Sequence, residues 1–116
     1  MAGNISDYAE NVMLDYILRK VVTGSAAAWG VGLSEGSPTD AAASELPVAS
    51  GYLRQTVFFA PAANGTASNS SAVTFSSAAA SFSVLGMQIW NTEATSAGSM
   101  LWRGTLAASK VVTTGD

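Results

Sequence analysis

Histidine and cysteine are both absent from the 116 residues. The chain therefore has no imidazole base, no thiol nucleophile, no disulfide and none of the side chains that most transition-metal sites require. Charge is scarce too. Only 11% of residues are charged, against roughly 25% in a typical soluble protein. The five bases, Arg19, Lys20, Arg54, Arg103 and Lys110, are scattered and the net charge is −3, so there is no basic cluster of the kind that displaces counterions from nucleic acid. Neither of the longest weakly polar runs, residues 26–33 and 57–63, approaches the ~20 residues that span a bilayer. Asp7, Glu10 and Asp15 stand where a secretory signal would carry positive charge and an unbroken apolar core. Nucleic acid and membrane are accordingly not expected as partners.

Small uncharged residues take the vacated places. Ala, Ser, Gly and Thr together make up 58 of the 116 residues. A surface this poor in lysine and glutamate points to extensive burial against neighbours, because interface cores are depleted of charge; a secreted domain with a neutral surface is the plainer alternative. The length suits one domain, residues 1–116, with enough buried surface for a single core.

One segment has a helical period. In residues 4–19, NISDYAENVMLDYILR, the positions Ile5, Tyr8, Ala9, Val12, Met13, Tyr16 and Ile17 form a single apolar stripe, with Asp7, Glu10, Asn11, Asp15 and Arg19 opposite. Ser6 or Asp7 is placed to cap its first turn, the early acids suit the positive end of the helix, and Arg19 and Lys20 suit the other. Gly24 is the expected terminator. A helix this short needs a surface to lie on.

After it the period changes from helix to strand. Residues 27–33 place Trp29, Val31 and Leu33 on one side and Ala28, Gly30 and Gly32 on the other, a strand whose glycines admit close approach of another backbone. After a turn at residues 34–40, with Thr39 or Asp40 capping a short helical turn, Leu46-Pro47 resumes an extended chain. Residues 51–60, GYLRQTVFFA, form the strongest strand pattern, with Tyr52, Arg54, Thr56 and Phe58 facing one way. Residues 61–71, punctuated by Pro61, Asn64-Gly65 and Asn69, read as a hairpin-like connection, longer than a two-residue turn, into a strand at 72–75, and 76–81 as a loop. Phe82 and Val84 start an alternation that changes parity across Gly86, the mark of a β-bulge. Further strands are expected at 100–106 and 110–114. The predicted fold is mainly β: a small β-sandwich or partly open barrel, about residues 26–114, with one N-terminal amphipathic helix, about residues 5–20.

No constellation carries chemistry. Glu35, Asp40 and Glu45 share one loop but lack a calcium-loop spacing, and they read as solvated turn acids. Gly30-Val31-Gly32 followed by Gly36 is not a phosphate loop. Ser109-Lys110 has no second catalytic serine pattern. Trp29, Trp90 and Trp102 read as core and interface anchors before a sugar-stacking platform. No enzyme activity, metal or cofactor is expected.

Three stretches carry a resemblance: ISDYAENVMLDYILRKVVTG, the SPTDAA turn, and GYLRQTVFFAPAANGTASNSSAVTF, with IWNTEATSAGSMLWRGTL and KVVTTGD completing it. Together they resemble a widespread family of small tailed-bacteriophage virion proteins, often labelled tail fibre proteins, whose β-sandwich is similar to the cement or decoration proteins that clamp phage capsids. One departure is that relatives continue past the Gly-Asp pair into another strand. The resemblance implies a virion protein made in the host cytoplasm and placed on the capsid surface. There it would bridge subunits of the major capsid protein and itself form a homotrimer. The expected contact residues are exposed Tyr52, Arg54 and Phe58 with the loop Pro38, Thr39 and Asp40. The alternative is a tail or tail-fibre component with a host-glycan surface around Trp102. The helix is then either a lid on its own sheet or an arm to a neighbour.

Overall fold

A computed structural model of the chain describes residues 5–20, 29–39, 44–95 and 97–116. Ser6 starts the helix. Its backbone is extended, its hydroxyl accepts from the Ala9 N–H at 3.2 Å, and its carbonyl accepts from the Glu10 N–H, a cap contributing about 1 kcal/mol. Helix α1 runs over Asp7–Leu14 and widens into a π turn over Asp15–Arg19. It stops at Lys20, whose left-handed backbone (φ 55°) donates its N–H to the Asp15 carbonyl. The α-helix is thus shorter than its apolar period and ends before Gly24, which lies outside the described residues. The capping turn expected at residues 40–43 also lies outside them.

Four strands follow: β1 Trp29–Ser34, β2 Gln55–Val57, β3 Phe82–Trp90 and β4 Met100–Val112, preceded at β2 by a 3₁₀ turn at Val48–Ser50. They form one open antiparallel sheet in the order β2-β1-β3-β4. The mainly β class with a single N-terminal helix is as expected from the sequence. Among the described residues no second sheet faces the first; helix and loops occupy that layer.

The register sorts the side chains. Val31 is opposite Ile89, Leu33 opposite Met87, Trp29 opposite Val57 and Ile89 opposite Trp102. One face of the sheet is therefore apolar. The other face carries Gly30, Gly32, Ser34, Gly86, Gln88 and Trp90, and Glu45, Tyr52, Thr92 and Glu93 lie directly upon it. A Cβ on Gly30 would strike the Thr92 carbonyl oxygen and come within 2.9 Å of the Glu93 Cα; on Gly32 it would come within 2.8 Å of the Glu45 carboxylate and 2.9 Å of the Tyr52 hydroxyl. The close approach expected of these glycines is what lets a polar layer sit on bare backbone.

Several strand expectations are corrected. The strand predicted over 51–60 narrows to Gln55–Val57, because the Arg54 N–H is turned to the Thr95 hydroxyl at 3.1 Å instead of a neighbouring strand. The extended chain expected from Pro47 instead enters the Val48–Ser50 turn, closed by the Ser50 hydroxyl on the Pro47 carbonyl at 2.7 Å and by Gly51 at φ 81°. Residues 72–75 join no ladder. The two strands expected at 100–106 and 110–114 are one. Val84 pairs with Lys110 but Gly86 with Thr105, so the register shift at the expected bulge position absorbs the extra residues of β4 without breaking the strand. The connection at 61–71 is a hairpin whose tip is a two-residue turn, tighter than the longer connection expected. Asn64 (φ 53°) and Gly65 (φ 74°) both take the left-handed backbone that such a turn demands, and Ala63 and Thr66 exchange both backbone hydrogen bonds.

Candidate functional site

On the glycine-bearing face a buried ion pair is assembled. Arg54 meets Glu45 through two hydrogen bonds, from Nε to Oε2 at 2.6 Å and from Nη2 to Oε1 at 3.2 Å. Its Nη1 donates to three carbonyls, of Thr92 at 3.2 Å, Ala94 at 2.8 Å and Ala97 at 2.7 Å. The guanidinium carbon lies 3.8 Å from the centre of the Trp90 ring, and Trp90 donates to Gln88 at 3.1 Å. The Tyr52 hydroxyl donates to Glu45 and accepts from the Leu33 N–H, both at 3.1 Å. Burial pushes the Tyr52 phenol above its ordinary range; the Leu33 N–H acts the other way and the Glu45 carboxylate adds to the rise. With the Arg54 side chain fully covered, this cluster offers a ligand nothing. It holds loop to sheet.

The apolar face differs. Ile5, Ala9, Val12 and Met13 of the helix segment cover one margin, and Phe59, Val73 and Phe75 border the other, with the Ala67–Asn69 limb of the hairpin beside them. Between them an open groove of about 900 Å³ runs over Val31, Leu33, Met87 and Ile89 to Leu101 and Trp102, with no charged residue in its lining. The start of the helix is pinned there. The Ser6 N–H donates to the Leu101 carbonyl at 2.9 Å, the Ser6 hydroxyl donates to the Met100 carbonyl, and Ile5 bridges to Trp102. The far end is not. Along the apolar stripe exposure rises from 8% at Ala9 to 43% at Met13 and 67% at Ile17, and Leu18 reaches 74%. The helix is a lid over its first two turns and an overhang beyond them.

The expected contact residues do not form one patch. Tyr52 and Arg54 come together, but both are buried, 4% and 5% exposed, so the exposure expected of them is corrected: their hydrogen-bonding groups are spent inside the fold. Pro38 is buried, its Cδ lying where a Cβ on Gly86 would fall, while Thr39 is exposed and Asp40 lies outside the described residues. Phe58 is exposed, as expected. Trp102 lines the groove with Trp29, but Trp90 is on the other face, so the three indoles make no common platform. The groove itself escaped sequence reasoning, although its floor was visible in the alternation of Trp29, Val31 and Leu33 and of Met87 and Ile89.

No group of three or more acidic side chains is placed to hold a metal ion among the described residues, and no described helix is long and apolar enough to cross a membrane. Comparison with curated proteins gives no match. The family model of the podophage GP4 fiber I protein gp80 matches residues 4–116. An open apolar surface on a small β-rich chain is in keeping with a protein that works by contact, and over almost its whole length the chain belongs to this gp80 family of phage virion structural proteins.

Proposed function

We propose that the chain is a structural subunit of a phage fibre that acts by contact with other protein chains and catalyses nothing. The groove carries this reading. An uncharged apolar surface lined by large side chains is what a protein partner covers, and exposed apolar patches of this kind on soluble chains mark interaction sites. The polar cluster around Arg54 is fully enclosed and supports the same reading by its inertness. The word fiber in the family's description favours a place on the tail.

A second reading, a cement protein bridging subunits of the major capsid protein as a homotrimer, draws its support from the charge-poor composition and multivalent clamping. Gold-labelled antibody on intact particles separates the two. Label confined to fibres at the tail supports the first, and label distributed over the head overturns it. Particles lacking the protein should keep their resistance to heat and osmotic shock under the fibre reading and lose it under the cement reading. A glycan-binding role for the fibre would appear as binding of the isolated chain to host cells that is lost in Trp102→Ala.

A further inference from the structure

The tip of the 61–71 hairpin carries the chain's one Asn-Gly pair, Asn64-Gly65. Both residues are exposed. Among the described residues the Asn64 side chain has no hydrogen-bond partner, and neither has the Gly65 N–H, since the turn is closed by Ala63 and Thr66 on either side of the pair. Nothing lies within 4 Å of the place a Cβ on Gly65 would take, so the peptide between the two residues is open to water. We propose that Asn64 is a self-modification site, at which the folded chain deamidates before it does so at any other asparagine. In the first step the Gly65 nitrogen gives up its proton to solvent and bonds to the Asn64 Cγ, closing a succinimide ring. The Cγ–Nδ2 bond breaks, and Nδ2 takes a proton and leaves as ammonia. Water then adds to one of the two ring carbonyls and opens the ring, to aspartate at one and to isoaspartate at the other. One water enters and one ammonia departs, with no oxidant or enzyme required.

The other asparagines among the described residues are held against this reaction. The Asn69 Nδ2 donates to the Ser71 carbonyl at 2.8 Å, and the nitrogen that would attack it, that of Ser70, donates to the Phe58 carbonyl at 2.8 Å. The Asn91 Oδ1 accepts from the Ser99 N–H at 2.8 Å, and the residue after it, Thr92, is branched at Cβ. Asn11 lies inside α1, whose ladder engages the following N–H. At Asn64 the nitrogen reaches Cγ once the backbone rotates out of its left-handed conformation (φ 53°). That opening breaks only the two 2.9 Å hydrogen bonds exchanged by Ala63 and Thr66, and exposed tips of this kind open at little cost. The products alter the tip in two ways. Both add a negative charge to a chain of net charge −3. Isoaspartate also adds a methylene to the backbone of a two-residue turn, so Ala63 and Thr66 lose their register. The Ala67–Asn69 limb that leads away from this turn borders the groove, which places the modification at the groove's margin.

The proposal needs only the fold and stands or falls apart from the fibre reading. The test incubates the full chain at mildly alkaline pH and physiological temperature, folded in one sample and unfolded in urea in another, and follows both by intact mass. Folded wild type should gain about 1 Da, the difference between NH and O, and its charge should become one unit more negative on ion exchange. Tandem mass spectrometry should place the gain at position 64, with part of the product accepting a methyl group from an isoaspartate methyltransferase. Asn64→Asp, which tolerates the left-handed backbone, should gain no mass over the same period. Amide exchange at Ala63 and Thr66 should quicken in the aged wild type and stay unchanged in Asn64→Asp, which carries the charge without the longer backbone. A gain located first at any other asparagine would overturn the proposal. So would a folded chain that keeps its mass while the urea-unfolded chain converts, and a chain that converts in neither state. Unchanged exchange in chains converted to isoaspartate would overturn the effect on the hairpin.

Discussion

Replacing Arg54 by alanine tests the description of the glycine-bearing face. The substitution leaves the Glu45 carboxylate without its two-pronged partner and removes the donor shared by the Thr92, Ala94 and Ala97 carbonyls. Because the Arg54 side chain is fully covered and Glu45 nearly so, solvent screening does little to soften the loss. Breaking a buried pair by removing one member costs about 3–5 kcal/mol. The stability of a whole domain is about 5–15 kcal/mol. At roughly 4 °C per kcal/mol for a chain of this size, the melting temperature should fall by about 12–20 °C. Urea unfolding followed by tryptophan fluorescence suits the case, since Trp90 stacks on the guanidinium. The control is the pair Glu45→Leu with Arg54→Met, which removes the orphaned charge and should recover part of the loss. A cost below about 1 kcal/mol for Arg54→Ala, or a double variant no more stable than the single one, would refute the reasoning.

Tyr52 gives a pH prediction. Its phenol titrates higher in the fold than in the unfolded chain, where the value is about 10. Below that pH its contribution is complete. Above it the unfolded chain releases a proton that the folded chain retains, so stability falls by about 1.4 kcal/mol per pH unit until the folded phenol itself ionises. Urea midpoints compared at about pH 9 and about pH 11 should drop less steeply in Tyr52→Phe than in wild type, and equal slopes would exclude Tyr52 as the source. Ser6→Ala removes the cap on Ala9 and the tie to Met100 together and should cost about 1–2 kcal/mol, read as faster amide exchange throughout α1; a change confined to Ala9 would count against the tie. Gly30→Ala meets backbone at Thr92 and Glu93 and should destabilise by about 1–3 kcal/mol. Gly65→Ala has open space but a left-handed backbone; it should speed exchange at Ala63 and Thr66 and leave the global urea midpoint nearly unchanged.

What the sequence made legible was local. The alternation of Trp29, Val31 and Leu33, the glycines needed for close approach and the irregularity beside Gly86 each depend on neighbours a few residues away, and each lies where the pattern put it. Arg54 was not legible. In an alternating segment it reads as solvent-facing, and its partners stand nine residues before it and 38 to 43 residues after it. The scarcity of charge was the available signal, since a chain with five bases is one in which an arginine among large apolar residues has a specific employment. The helix was half legible. Periodicity identifies which face is apolar, but how far that face finds a floor depends on where Met100–Trp102 come to rest.

That dependence has a consequence for the order of folding. The helix is made before the strands it packs on, yet the carbonyl that anchors its cap lies 94 residues later, on Met100, and the β1–β3 ladder at the centre of the sheet must likewise wait for β3. Contacts so distant along the chain pay their loop-closure entropy early and are slow to form. Through synthesis, the apolar stripe that later serves as lid and overhang has neither floor nor groove to meet. Until the strand that holds it is in place, the nascent chain presents an apolar stripe open to premature contact.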